Sequence, residues 1–373
     1  MKMQLRTGKH KVSLSHVQGP PTAQLGTVSR LIPLPESGPE DVILADDRHP
    51  GQVYLGTLYG GIYRTNTVTG RSTLVCNTGG RPLGLELTRN GDLIICDSLR
   101  GLLRQRLDTQ GNPSGDLEEL VTNVAGKQLK FCSNAAEAPD GSIWFTESTD
   151  RYHFDEYMGS ILEHRASGSL NVWHPDGETG SAQRVLSGLF FANGLVIEPN
   201  GSGLLLCETT DYALRRVAGG VMSEKIGQSP RVQDVATNLP GFPDNMSTLD
   251  YGPSGDEAPS VWVAFAHPRS WLLDLLAKLP AVFRHAIWNI PDAIRPGPEH
   301  EVWLVKCQLV DGEWKIVEQI RGTHPDFHTP TGAVRVGGEL VVASKDQPHL
   351  LVIDLDKISA CLLYTSDAAD DTP

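Results

Sequence analysis

Residues 188 to 210 read GLFFANGLVIEPNGSGLLLCETT. Two short apolar runs flank the polar turn EPNGSG, which is the signature of a β-hairpin. The first run is opened by an asparagine, Asn193, although asparagine is depleted in strands and ordinarily serves turns. The hairpin pattern recurs along the chain as HPGQVYLGT (49–57), RNGDLIICDS (89–98), PDGSIWFTES (139–148), PNGSGLLLCET (199–209), PSGDEAPSVWVAF (253–265) and VGGELVVAS (336–344). The turn glycines stand at 51, 91, 141, 201, 255 and 338. A four-stranded blade needs roughly 40 to 50 residues, so this spacing predicts a radial repeat. Six copies predict an all-β fold, a six-bladed β-propeller, over residues 25 to 357. A propeller must also close its ring, and LGTVSRLIPLP (25–35) is expected to lend an edge strand to the last blade, which protects that edge.

Outside this rhythm the first 24 residues read as a flexible N-terminal arm. Residues 358 to 373, ISACLLYTSDAADDTP, read as a non-native or disordered tail. Two longer gaps hold insertions. One is TDRYHFDEYMGSILEHRASG (149–168). The other, near residues 268–290, is a helical insertion in which Leu272, Leu275, Leu276, Leu279, Val282, Phe283 and Ile287 recur at helical spacing and Pro280 forces a break. Its apolar stripe is expected to pack on the propeller, with a lid, dimer or membrane-surface role as the sharper reading.

The chain has 373 residues, a formal net charge of -13 and a sequence pI near 5.4. Such an acidic surface repels phosphate backbones and argues against nucleic acid as a partner. No apolar run is long enough to span a bilayer, and the basic N-terminus lacks the apolar core of a secretion signal. The six cysteines are scattered without CxxC spacing, so a reducing, cytoplasmic setting is expected, with Cys96 and Cys207 as buried small hydrophobes.

In a propeller the first strand of each blade lines the channel, so polar residues near its mouth converge. Glu40 in SGPEDVILA, Asn134 in FCSNAAEAPDG, Asn193 in FFANGLVIEPNG and Asp244 in GFPDNMSTLDYG fit that description. All four offer oxygen and none is His or Cys, which favours a hard divalent cation such as calcium over zinc. Glu147 and Asp97 recur after IWFT and LIIC and are expected to tie strand ends to turns. Trp144 and Trp262 are expected in the core. His324 and His328 in GTHPDFHTPTGAV are candidate proton shuttles, as is His153 with a weaker claim. Tyr152 and Tyr157 could contact a substrate.

The segments GRPLGLELTRNGDLIICDSLRGLLR, FCSNAAEAPDGSIWFTES, GLFFANGLVIEPNG, LPGFPDNMS and PRSWLLDLL together resemble the strictosidine synthase-like family, which is related to the gluconolactonase and senescence-marker lactonases and more distantly to the paraoxonases. The resemblance covers about residues 25 to 357. It implies a six-bladed propeller with one channel metal, usually calcium, held by a glutamate, two asparagines and an aspartate, which fall on Glu40, Asn134, Asn193 and Asp244. Asn245 matches the Asp-Asn pair of paraoxonase-like sites. The resemblance further implies that Asp244 acts as both metal ligand and base. A calcium-dependent hydrolase of lactones or aryl esters, acting on a small molecule, is the expected activity. The alternatives are a Pictet-Spengler condensing enzyme, which would need a glutamate that THPDFHTPTGAVR (323–335) does not offer, and a non-enzymatic scaffold whose ion pins the blades.

Overall fold

The computed structural model describes residues 23–175, 180–219, 230–290 and 300–358. The expected tail lies outside the described residues but for Ile358, and so does the expected arm but for its last two residues. Ala23–Gln24 form a short strand paired in parallel with Gly322 and Thr323.

Hairpin chemistry sets the strands. In the turn of the opening stretch Gly201 takes φ 67°, a left-handed value that glycine adopts without steric cost. In the last hairpin Gly337, at φ 60°, does this in place of the expected Gly338. The strands build an all-β propeller. Six first strands matter for function: β1 (Val42–Leu44), β2 (Pro82–Leu87), β3 (Cys132–Glu137), β4 (Ala192–Ile197), β5 (Gly241–Met246) and β6 (Pro330–Val336). Each packs beside the next, and β6 packs beside β1, so they close into a ring around a channel.

Backbone pairing does not divide the chain into six separate sheets. Three sheets have four strands, one has five and one has nine. The nine-stranded sheet arises because the ten-residue strand Gly180–Leu189 outruns its own antiparallel partner, which it leaves at the Val172–Gln183 pair. Its first residues instead pair in parallel with Val121, Asn123 and Val124 of the preceding run. Two antiparallel runs, one starting at β2 and one at β3, are thereby fused at their outer edges. The ring is closed as expected: Ser29–Pro33 pairs antiparallel with His349–Asp354 and forms the outer edge of the sheet that begins at β6.

The apolar core lies in layers between successive runs. One layer joins Trp262, Ala264 and Leu304 to Ala333, Leu340 and Leu351 of the next sheet, and another joins Trp144 and Leu170 to Leu195 and Leu204. Trp144 and Trp262 are 1% and 2% exposed, and Cys96 and Cys207 are fully buried, as their places in apolar runs imply. Asp97 and Glu147 do tie strand ends: Asp97 accepts from the backbone N–H of Arg81, Leu99 and Arg100, and Glu147 from that of Lys130.

Three short helices stand over one mouth of the channel. α1 (Tyr157–Glu163) comes from the first insertion, and α2 (Trp271–Lys278) and α3 (Ala281–Trp288) from the second. Ser270 caps α2 by accepting from Leu273 N–H, and Leu279 takes an extended conformation before Pro280, as a residue ahead of proline must. The two insertions hold each other. Arg284 of α3 donates to the carbonyls of Leu162 (3.5 Å) and Glu163 (3.3 Å), and Tyr152 meets Trp288 edge-on at 6.3 Å.

Candidate functional site

Three of the four polar residues singled out in the sequence stand at β-bulges. Register shifts occur between Cys132 and Ala135, Ala192 and Leu195, and Pro243 and Met246, each spanning Asn134, Asn193 or Asp244 respectively. A bulge adds an unpaired residue and re-aims its side chain, which is why a polar residue can open an apolar strand there. Hydroxyls of the neighbouring strands lock two of the bulges and the loop before β1: Thr146 donates to Asn193 O (2.9 Å), Thr209 to Pro243 O (2.7 Å) and Thr331 to Glu40 O (2.6 Å). Gly194 serves close approach rather than a turn, since a Cβ there would stand 2.6 Å from Met246 N and 2.7 Å from Asn245 Cα. The sequence phrase Asn193-Gly194 therefore encodes a bulge and a tight inter-strand contact together.

Glu40, Asn193 and Asp244 line one cavity of about 430 Å³ beneath the helical cap. Asn134 lines a smaller cavity of about 130 Å³, together with Glu86, Leu195 and Met246. Asn245, fully buried, connects the two: it accepts from Asn134 Nδ2 (3.0 Å) and donates to Glu40 Oε2 (3.0 Å) and Glu40 O (3.2 Å). Asn193 Nδ2 donates to Asp244 Oδ1, and Asn193 Oδ1 accepts from Ser133 Oγ (2.9 Å).

The electrostatics of this floor are strained. Burial pushes the Glu40 carboxyl above its ordinary range, against the opposing pull of Arg81, Asn245 and Lys345. Burial pushes Asp244 well up, and the like charge of Glu40 adds to it. Asp41, directly behind, is raised to about 7 by burial and by Glu40, although it accepts from Val42 N–H and Leu85 N–H. Two buried carboxyls facing one another cannot both ionise without a compensating charge.

That is the test a divalent cation would meet here. Among the described residues no three of His, Cys, Asp and Glu gather into a metal-binding group, so a ligand set at this floor must include carboxamides. Two carboxyls and neighbouring carboxamides are the oxygen chemistry that calcium takes, and the residues fit such an ion.

Several functional side chains escaped the sequence reading. Lys345 and His267 line the cavity. Burial works against the Lys345 ammonium, but Tyr157 and Asp346 outweigh it and hold its pKa above the ordinary lysine value; its Nζ donates to Tyr157 Oη (3.2 Å) and Asp346 Oδ2 (3.0 Å). Burial, with Lys345 beside it, pushes the His267 imidazole down to about 4, so it is neutral at neutral pH. His324 and His328 are not among the lining residues. His324 Nδ1 accepts from Asp326 N–H (3.1 Å), and His328 pairs with Thr329 Oγ1 (2.9 Å) and stacks edge-on with His300. His153 precedes the short 3-10 turn Phe154–Glu156 and does not line the cavity. Tyr157 does line it, whereas Tyr152 is fully buried against Trp288. The walls also carry Phe131, Phe191 and Phe242. Their signal was present: in FCSN, FFAN and GFPDN an aromatic stands two or three residues before the polar opener.

The sequence pattern of the strictosidine synthase family matches residues 136–218, and that of the strictosidine synthase-like N-terminal region matches residues 25–65. The chain is similar to strictosidine synthase-like proteins. Protein STRICTOSIDINE SYNTHASE-LIKE 6 of Arabidopsis thaliana is 29% identical to it over 333 residues, which is 87% of this chain and 81% of that protein. Among solved structures, a gluconolactonase from Xanthomonas campestris superposes with a TM-score of 0.57 at 17% identity, covering 91% of this chain and 96% of that one. The calcium-binding protein regucalcin from Agrobacterium tumefaciens superposes with a TM-score of 0.53 at 14% identity, covering 87% and 92%. At such identities the structural likeness of this chain speaks for the propeller fold alone. No helix among its described residues is long and apolar enough to cross a membrane.

Proposed function

We propose that the protein is a metal-dependent hydrolase of lactones or aryl esters, built on a six-bladed propeller in which the nine-stranded sheet counts as two blades sharing an outer edge. The observation that carries this reading is the buried pair Glu40 and Asp244, set among carboxamides at the floor of a cavity large enough for a small molecule. Glu40, Asn193 and Asp244 would hold the ion, with Asn134 standing behind Asn245 rather than among the ligands, and calcium suits an all-oxygen set of this kind. Bound there, it would polarise a substrate carbonyl and offset the developing negative charge. Turning over its amide, Asn193 can present Oδ1 where it now directs Nδ2 to Asp244. Asn245 fixes Glu40 through two hydrogen bonds. Asp244 is the general base: its carboxyl sits at the cavity floor, and burial raises its affinity for a proton. Lys345, protonated and near both acids, steadies negative charge at the floor.

The condensing chemistry in the relatives' name requires a glutamate acid/base late in the chain. Among the described residues after 240, the cavity lining supplies Asp244, His267, Lys345 and Asp346 as its ionisable groups and no glutamate. That favours hydrolysis.

The test is hydrolysis of a lactone and aryl-ester panel by metal-stripped protein, before and after calcium is added. Turnover should appear only with calcium, and Asp244→Ala should lower it by about a thousandfold or more. Calcium binding without turnover of any member would leave a propeller scaffold with a structural ion.

A further inference from the structure

The cavity walls are made of two apolar sets that meet. Phe131, Phe191 and Phe242 rise from the ends of first strands at the channel mouth, while Phe154, Met158 and Leu273 descend from the cap. Phe191 meets Phe131 edge-on (centroids 5.4 Å apart), Phe131 meets Phe154 (5.9 Å), and Phe154 meets Tyr157 (6.0 Å). This aromatic run leads from beside the polar floor to the underside of α1. Most polar lining groups stand apart from the Phe191–Phe131 part of it: Glu40, Ser133, Asn193, Thr209 and Asp244 belong to the floor, while cations reach the run only at its cap end, where the Arg81 guanidinium covers Phe154 (4.8 Å) and the Lys345 amine, tied to Tyr157 and Asp346, lies over the Tyr157 ring.

From this segregation we infer the class of substrate: a lactone or ester carrying an apolar alkyl or aryl tail, with the carbonyl over Glu40 and Asp244 and the tail along the Phe191–Phe131–Phe154 run. A polyhydroxylated sugar lactone is disfavoured, because any hydroxyl it lays along the Phe191–Phe131 run would lose water against ring faces that offer no hydrogen bond. A tail instead gains by leaving water, and each buried methylene contributes about a three- to fourfold gain in affinity. The position of the carbonyl rests on the hydrolase reading; the preference for an apolar tail rests on the walls alone.

Binding separates the two. The probes are 5-alkyl γ-lactams with methyl, butyl, hexyl and octyl chains, with D-glucono-δ-lactam as the polar comparison, titrated calorimetrically into the calcium-supplemented full chain. The lactam nitrogen resists hydrolysis, so the readout does not depend on turnover. Affinity should rise about threefold per methylene from methyl to hexyl, and the glucono-lactam should bind more weakly than the butyl compound. A flat series, or a glucono-lactam that binds more tightly than the hexyl compound, overturns the inference. Phe131→Ser and Met158→Gln, one from each wall, should each flatten the series; should one fail to fold, the other carries the comparison, and an unchanged slope in a folded variant counts against the assignment. If the wild-type series shows the slope while no lactone or ester is hydrolysed, the apolar-tail inference stands and the hydrolase reading falls. If lactones are turned over without chain-length dependence, the hydrolase reading stands and the apolar-tail inference falls.

Discussion

The blades and the cap face the same cavity, yet they are held by different forces. A blade is a run of antiparallel strands whose backbone bonds are satisfied internally, and its buried face belongs to a core layer shared with its neighbour; the layer around Trp262 joins fourteen buried residues. The cap is three helices of seven or eight residues, too short to be stable alone in water. Its small core joins Tyr152, Leu162 and Trp288, with Met158, Leu273 and Ile287 beside them. It also rests on the ring, Ile161 and Leu273 against the core around Phe265 and Trp303 and Phe154 and Tyr157 against Phe131 and Phe191, and it is pinned by Arg284 on α1 carbonyls, Arg151 with Glu163 (2.9 Å) and Arg269 with Asp274 (2.7 Å). A ring of large shared layers unfolds as a unit, whereas an element with a small core of its own is the kind that opens locally at lower cost. The expected consequence is a floor held by the ring and a roof whose opening costs less than global unfolding.

One substitution made in both regions breaks this comparison most sharply. Trp262→Ala in the ring should cost about 3–5 kcal/mol of global stability, as large aromatic truncations in packed cores do. Trp288→Ala in the cap should move the global thermal midpoint far less, while weakening a cavity ligand about tenfold by loosening the roof. Thermal unfolding and ligand titration on the two variants check this, and equal midpoint losses would mean that the cap belongs to the cooperative ring.

The floor can be probed through pH. A cation competes with protons for Glu40 and Asp244, because burial raises the proton affinity of both carboxyls. Calcium affinity should therefore fall by about ten- to a hundredfold between pH 8 and pH 5, with proton release on binding measurable by calorimetry in two buffers. Constant affinity over that range would show that these carboxyls are ionised before the ion arrives.

The smallest effect belongs to His267, at the junction of a ring strand and the cap. Its folded pKa, about 4, lies below the ordinary 6.5, so the unfolded chain binds the proton more readily. The neutral imidazole's contribution is full above pH 6.5 and is lost as pH falls from there toward 4. Because the ring is partly exposed, the slope should amount to about 1–2 kcal/mol over that window, and His267→Gln should remove it in denaturant titrations. A wild-type acid limb that survives the substitution would assign the titration to another group.

Much of the ring was legible beforehand because hairpin turns and strand alternation are local: the glycine turns, the closing strand at 29–33 and the buried Trp144 and Trp262 all follow from short stretches. Glu40, Asn193 and Asp244 were also legible, since a polar residue opening an apolar strand is a local anomaly, and the three do share a cavity. Asn134 shows the limit, for it points to the smaller cavity and reaches Glu40 only through Asn245. His324 and His328 illustrate it too. Their place just before a first strand suggested the channel, but their side chains are engaged by local partners. His267 and Lys345 lie at strand ends with no periodic signal of their own, and only the folding of two remote insertions over the channel gives them a role.

The sequence by itself determined a repeating strand-turn-strand chain, closed by its own N-terminal segment, with oxygen-bearing residues at the starts of its inner strands. These features depend on neighbours within about ten residues, where side-chain alternation and turn stereochemistry act. Tertiary structure alone decided that two antiparallel runs fuse at their outer edges into one nine-stranded sheet, that an asparagine relay joins the two cavities, and that helices some 120 residues apart form one roof. Those outcomes depend on which surfaces meet after the ring closes, and desolvation and packing between distant segments leave no pattern in the local order of residues.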